Sequence, residues 1–182
     1  SIEKSKTQLG IEVNIEISSE SFVKLKEVKR NLAGKTGCGI CGVESLNYFS
    51  SFLNKDYPVR NELTITEKLI SKVLTEFKIN QVNQIKTGST HAAAFFDQDA
   101  KLEQIREDVG RHNALDKLIG AINLDQNWFV VVSSRGSYEI KQKVLVTRRP
   151  IIIAMSAPTN LAIELAEKNN LTLIGFATNQ RF

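Results

Sequence analysis

The sequence is poor in sulfur. Its 182 residues include two cysteines, Cys38 and Cys41, and one methionine, Met155. Two cysteines at a single CxxC spacing do not make the disulfide framework of a small secreted domain. They fit a reducing compartment, where thiols react or bind metal. Histidine is scarcer still, with only His91 and His112. No apolar run approaches the roughly 20 residues that a membrane-spanning helix needs, and no signal-peptide pattern opens the chain. Charge of one sign is only slightly in excess, at +4. That permits an anionic ligand, but no Lys/Arg run is interleaved with aromatics, so nothing argues for nucleic acid. There is no GxxxxGK(S/T) phosphate loop, no internal repeat and no low-complexity tract. Met155 is the only methionine, so Ser1 is a native start only if processing removed one, and a fragment or an incompletely ordered chain is expected.

What is present is ordinary for a globular protein: 42% hydrophobic and 24% charged residues. The length suits one domain, or one domain with an appendage. The segment that stands out is Thr36–Ser45, which holds both cysteines among Gly37, Gly39 and Gly42. A loop this rich in glycine reaches backbone conformations closed to other residues, at a cost in entropy when ordered. It suits a loop that must present sulfur to several partners.

The apolar pattern divides the rest. Residues 11–17 alternate strictly, predicting a half-buried strand with Ile11, Val13, Ile15 and Ile17 inward. Residues 22–32 fit a short helix or a strand pair, and residues 46–60 read as a linker, since Pro58 disfavours helix at Tyr57. Thr64 or Thr66 is placed to cap a helix to about Phe77 with Ile65, Leu69, Ile70, Val73, Leu74 and Phe77 on one stripe. Thr87–Asp97 reads as a turn into a buried strand or a short helix. Residues 102–109 include a strand, and Asn113 is positioned to cap a helix over 114–123. In the last third, apolar runs at 128–132, 151–154 and 171–176 alternate with amphipathic stretches at 138–146 and 159–168. That is a βαβαβ arrangement with a parallel sheet covered on both faces. Ligands of such sheets sit beyond the carboxyl ends of the strands. This places Ser133–Ser137, Ser156–Thr159 and Ala177–Arg181 around one crevice.

The CxxC pair is open to three readings: a redox disulfide, half of a zinc site, or a thiol pair that carries sulfane sulfur. Zinc needs four ligands, or three plus water. The remaining soft candidates, His91 and His112, lie 21 residues apart and match no zinc-finger spacing. A thioredoxin-type pair would abut a rigid helix, which the flanking glycines argue against. Sulfur transfer draws on the same thiolate nucleophilicity. His91, behind Thr87-Gly88-Ser89-Thr90, is either a satisfied structural residue or a contact to an anion or nucleotide. Ser133-Ser134-Arg135-Gly136-Ser137 combines hydroxyls, a guanidinium and a helix start, the parts of an anion site. The basic tract Lys141, Lys143, Arg148 and Arg149 reads as a solvated helix face and strand entrance, or as a ligand contact.

Several segments together resemble one family. They are Cys38-Gly39-Ile40-Cys41-Gly42, Thr87-Gly88-Ser89-Thr90-His91-Ala92-Ala93, Glu107-Asp108-Val109-Gly110-Arg111-His112-Asn113-Ala114-Leu115-Asp116-Lys117, Ser133-Ser134-Arg135-Gly136-Ser137-Tyr138-Glu139 and Asn170-Leu171-Thr172-Leu173-Ile174-Gly175-Phe176. From about Thr36 to Phe182 the chain is similar to the FdhD family, accessory sulfurtransferases of formate dehydrogenase. The resemblance implies a cytidine-deaminase-like three-layer α/β/α sandwich with a small N-terminal β-containing portion. The division expected is a partial N-terminal region with the CxxC loop over 1–60 and a cofactor-binding domain over 61–182. It implies a cytoplasmic homodimer that takes sulfur from a cysteine desulfurase as a persulfide. That sulfur then passes to the molybdenum cofactor, bis(molybdopterin guanine dinucleotide), for formate dehydrogenase, and GDP-like nucleotides would mimic the cofactor. By position, Cys38 carries the persulfide with Cys41 as partner, and no metal site is implied. Phe176, Ala177, Thr178, Asn179, Gln180 and Arg181 match the cofactor-binding stretch, and Arg135, Ser134 and His91 are the further candidates. Asn179 and Gln180 stand where the family usually has small residues before Arg181, and Val43 follows Gly42 where a basic residue is common. Two other functions compete. A zinc-dependent deaminase needs a Glu two residues after its ligand His and a later Pro-Cys-x-x-Cys, but Ala93 stands two residues after His91 and the CxxC precedes it. A non-catalytic cofactor escort would keep the nucleotide loops without needing Cys38.

Overall fold

A computed structural model describes residues 1–7, 10–27, 64–121 and 129–178. The CxxC loop, the 46–60 linker, the division near residue 60 and Asn179–Arg181 all lie outside the described residues.

The N-terminal part is a hairpin of β1 (Ile2–Thr7) and β2 (Gly10–Ile15), followed by α1 (Ser19–Glu27). The antiparallel register sets Ile2 opposite Ile15, Lys4 opposite Val13 and Lys6 opposite Ile11. The strand expected over 11–17 is therefore present, but its inward face is not half-buried: Ile11 is 74% exposed and Ile15 61%. The reason is topological: among the described residues β2 pairs with β1 alone, in a two-stranded sheet apart from the main one. Of the two forms open to residues 22–32, the helix is the one found over the described part, to Glu27, started by Ser18 Oγ accepting the Ser21 N–H at 3.2 Å.

The main body is a five-stranded sheet with helices on both faces. Its elements are α2 (Glu67–Ile79), α3 (Val82–Thr87), β3 (His91–Phe96), β4 (Leu102–Asp108), α4 (Arg111–Ile119), β5 (Phe129–Arg135), α5 (Tyr138–Val146), β6 (Ile151–Ser156), α6 (Asn160–Lys168) and β7 (Thr172–Ile174). The strand order is β4-β3-β5-β6-β7. The β5-α5-β6-α6-β7 portion is parallel, as its continuous apolar runs require. β3 runs antiparallel to both β4 and β5, so the sheet is mixed.

Side-chain alternation splits the strands between two cores. Ala93, Phe95, Val130, Val132, Ile152 and Ala154 pack under α4, α5 and α6. Ala92, Ala94, Phe96, Phe129, Val131, Ile151 and Ile153 pack with α2 through Ile70, Val73, Leu74 and Phe77. The α/β/α layering expected of the chain is thus in place. The cap of α2 is Thr66, whose side chain accepts the Leu69 N–H at 3.3 Å.

Two local expectations need correction. Asn113 does not cap α4, which starts at Arg111 with Gly110 as the capping position and ends at Ile119, not 123. Asp108 Oδ1 accepts the Gly110 N–H at 2.8 Å and forms the turn one residue pair earlier, while Asn113 donates to that same carboxylate. In the basic tract, Lys141 and Arg149 are buried rather than solvated: α5 and α6 pack together over one face of the sheet, and Lys141 on α5 is turned toward α6. Lys141 Nζ donates to the Ala162 carbonyl, and the Arg149 guanidinium sits 5.9 Å from the centre of the Phe95 ring. Among the described residues no helix is long and apolar enough to cross a membrane.

Candidate functional site

A cavity of about 780 Å³ opens on the α2 side of the sheet, where β3 begins and β5 and β6 end. That is the size of a small-molecule site. Leu74, Met155 and Ala177 give it an apolar floor, and Lys78, Gln81, Gln84, Ser89, Thr90, His91, Ser133 and Thr178 give it a polar rim. None of these lining residues is acidic.

The rim is built by three backbone devices. The first is Gly88, which ends α3 at φ +65° and turns the chain into β3; that left-handed conformation is open to glycine without strain. The second is Glu107 on β4. Its two carboxylate oxygens accept the Asn83 and Gln84 N–H groups, each at 2.8 Å, so it caps the start of α3 from another element. Glu107 also accepts from Thr90 Oγ1 at 3.1 Å, and Gln84 Oε1 accepts the Thr90 N–H at 2.8 Å. The third lies after β7. A Cβ on Gly175 would stand 2.6 Å from Cδ of Pro158, so only glycine lets this segment pass the β6–α6 loop. Beyond it the chain folds back over the strand ends. Phe176 takes a left-handed φ of 54°, its N–H donates to the Ser156 carbonyl at 3.2 Å, and the Ala177 N–H donates to the Ala154 carbonyl at 3.1 Å. This return path brings Ala177 and Thr178 to the cavity.

His91 opens β3 and lines the cavity half-buried. Its Nδ1 lies 3.4 Å from Ser133 Oγ, which also accepts the Ala92 N–H at 2.9 Å. Burial, and next the positive charge of Arg111, hold the His91 ring below its usual pKa of 6.5. The imidazole is therefore neutral at pH 7. Asp108, opposite His91 in the β3–β4 register, is held below the usual carboxylate range, first by its hydrogen bond from Lys117 and next by the Gly110 N–H.

Of the residues singled out in the sequence, the structure brings His91, Ala177 and Thr178 together around this cavity. Phe176 is adjacent and 47% exposed. Ser134 and Arg135 do not line it: Ser134 is buried with its hydroxyl donating to the Arg135 carbonyl at 3.2 Å, and Arg135 is exposed at the end of β5. The crevice thus takes Ser133 from its loop, not the whole of Ser133–Ser137, and takes Met155 in place of Ser156–Thr159. Cys38, Cys41, Asn179, Gln180 and Arg181 lie outside the described residues. Leu74, Lys78, Gln81 and Gln84 were not legible as site residues. Of these, Gln84 is fixed by Glu107, which caps α3 and joins that short helix to the sheet.

A second, half-buried contact joins the first turns of α4 and α5. His112 Nε2 lies 3.0 Å from Glu139 Oε2, and the hydroxyl of Ser137, the residue before α5, is buried with no hydrogen-bond partner among the described residues. Among the described residues no group of three or more His, Cys, Asp or Glu side chains is gathered as for a metal ion.

Comparison with known proteins agrees with the mixed α/β architecture. A crystal structure described as a formate dehydrogenase accessory protein from Desulfotalea psychrophila superposes with a TM-score of 0.63 at 24% identity, over 72% of this chain and 57% of that one; it speaks to the fold. The protein named sulfur carrier protein FdhD from Cupriavidus necator is 42% identical over 179 residues, 96% of this chain and 61% of its own length. The protein of the same name from Variovorax paradoxus is 38% identical over 179 residues, 96% of this chain and 63% of its own length. The chain therefore spans about three fifths of these relatives. The sequence model of the FdhD/NarQ family matches residues 1–182, further toward the N-terminus than the motifs from Thr36 onward, and the chain belongs to that family.

Proposed function

We propose that the protein is a sulfur carrier that serves formate dehydrogenase. Cys38 takes sulfur from a cysteine desulfurase as a persulfide, with Cys41 as its partner thiol, and the sulfur passes to the molybdenum cofactor, bis(molybdopterin guanine dinucleotide). In the loading step the Cys38 thiolate attacks the outer sulfur of the desulfurase's cysteine persulfide. That S–S bond breaks, a new one forms at Cys38, and the desulfurase cysteine leaves as a thiolate. The proton that Cys38 gives up balances the one the leaving thiolate takes, and there is no net oxidation.

The observation that carries the acceptor half is the cavity at the strand ends. Its size suits one nucleotide arm of the cofactor, its floor of Leu74, Met155 and Ala177 suits a flat ring, and its non-acidic rim with Lys78 suits phosphate. His91, Ala177 and Thr178 would hold that arm, and Asn179, Gln180 and Arg181 continue the stretch. GDP is then a fair stand-in for the arm. The names of the relatives support the carrier half. Homodimer formation and a cytoplasmic setting complete this reading and rest on the family resemblance.

Incubation with a cysteine desulfurase and cysteine tests the carrier half. It should add about 32 Da, one sulfur atom, at Cys38. The adduct should be absent from Cys38→Ala. An unmodified Cys38 in the unsubstituted protein would overturn the reading.

A further inference from the structure

α3 is turned inside out. Gln81 at its cap, Gln84 and Gly88 recur at three and four residues, so they share one face, and all three line the cavity. Val82, Ile85 and Lys86 recur in the same way and share the neighbouring face. That face looks away from the protein: Val82 is 52% exposed and Ile85 65%. Ile79, the last residue of α2 and three before Val82, is 59% exposed. An ordinary surface helix buries its apolar stripe and shows its polar one. Here the order is reversed, and Glu107 holds it so by accepting the Asn83 and Gln84 N–H groups. Since α3 forms part of the cavity rim, its apolar face borders the mouth. Apolar surface held outward beside a ligand cavity is the mark of a contact surface. The charge along this border is positive. Lys78 on the rim and Lys86 on the apolar face make no ion pair among the described residues. The carboxylates closest in the fold are engaged elsewhere, Glu76 with Asn80 and Glu107 with the start of α3.

We propose that this face docks the enzyme that receives the cofactor, through an apolar ridge of that enzyme bordered by carboxylates. The inference rests on the proposed function and adds the surface on which the hand-over takes place. In that reading one nucleotide arm fills the cavity, so the rest of the cofactor stands at the mouth. A recipient has to close over it there, and α3 is part of the border it meets. Ile79, Val82 and Ile85 supply the apolar centre of the contact, from which water is excluded. Lys78 and Lys86 favour an acidic rim on the partner and speed its approach.

Binding of the purified protein to cofactor-free formate dehydrogenase, prepared from a strain that lacks this protein, tests it. Val82→Ser/Ile85→Ser should weaken that binding by about 10-fold or more, as removal of central apolar anchors does. GDP affinity and sulfur loading at Cys38 should stay as they are, since neither side chain lines the cavity. Lys86→Glu leaves the apolar face intact. It should weaken binding several-fold at low salt, and the difference should fade at about 0.5 M salt, where exposed charges are screened. Unchanged affinity in the double variant would overturn the proposal and leave the proposed function standing. Weaker binding in the double variant alone would strike the acidic rim from it. A double variant that passes from dimer to monomer in sedimentation would assign the face to a second copy. One that unfolds at lower urea would assign it to a segment of this chain, and either result overturns the proposal. Failure of the unsubstituted protein to bind the cofactor-free enzyme would overturn it too, and sulfur loading at Cys38 would then decide the carrier half by itself.

Discussion

Glu107 reaches from β4 to the start of α3 and accepts the Gln84 N–H at 2.8 Å. Its other oxygen accepts the Asn83 N–H at the same distance. A short helix with no buried residue of its own is thereby tied to the edge strand β4, beside the strand that carries His91. Glu107→Gln is nearly isosteric, but either orientation of the amide sets an NH2 group against a backbone N–H. The loss should be about 1.5–3 kcal/mol, the worth of a hydrogen bond to a charged group. Urea unfolding should show the loss, and calorimetry a several-fold fall in GDP affinity, because Gln84 and Thr90 shift with α3. An unchanged unfolding midpoint would mean that α3 is held some other way.

Gly175 should tolerate no side chain. Its added Cβ would meet a proline ring that belongs to a neighbouring loop, so backbone must move on one side or the other. Gly175→Ala should cost about 1–3 kcal/mol, as overpacking does. It should also weaken GDP binding, since the backbone bonds of Phe176 and Ala177 to the β6 end depend on that close passage. Gly136→Ala is the control. Its Cβ would approach Ala154 Cβ at 3.4 Å and Leu173 Cδ1 at 3.5 Å, near ordinary contact. Equal effects at the two positions would show that the Gly175–Pro158 approach does not shape the site.

The parts of the fold that could be read from sequence are those in which local pattern and burial agree. The Ile70, Val73, Leu74 and Phe77 stripe is buried as its spacing predicts, with Thr66 as cap. The three apolar strands are parallel as expected, and residues 138–146 are helical as read. The failures are non-local. Alternation in Ile11–Ile17 marks a strand, but exposure is decided by what packs against it, which alternation does not encode. α3 went unread because its cap comes from Glu107, remote in sequence, rather than from the residue before it. The same non-locality hid a third of the cavity lining. His91 and the Ala177–Thr178 return carried a motif, whereas Lys78, Gln81 and Gln84 became site residues only when the sheet brought the end of α2 against the start of β3.

The carrier and escort functions separate at the cysteines. If the protein only escorts cofactor, the double variant Cys38→Ala/Cys41→Ala still supports formate dehydrogenase in a strain that lacks its own copy. If sulfur passes through the loop, that variant should leave formate dehydrogenase protein at normal levels but without activity, and should still bind GDP. The GDP measurement guards against a merely unfolded variant. Full activity of the double variant would return the escort reading in place of the carrier.

Lys141 gives the fold a pH dependence with a definite sign. Its side chain is buried between α5 and α6, and burial lowers its pKa from 10.5 to about 7, only partly opposed by Glu167. In the unfolded chain the amine keeps its ordinary value, so between about pH 7 and 10 the unfolded state binds more protons than the native state. Stability attributable to Lys141 therefore rises as pH increases through that window, and its full penalty applies below it. Lys141→Met keeps the aliphatic bulk and removes the titration. At pH 7 the variant should be the more stable of the two in urea, and its advantage should narrow steadily toward pH 9.5. The difference between the two proteins is the quantity to follow, since the thiols and tyrosines titrate equally in both. A constant difference across that range would mean that Lys141 is not desolvated as its position between the helices requires.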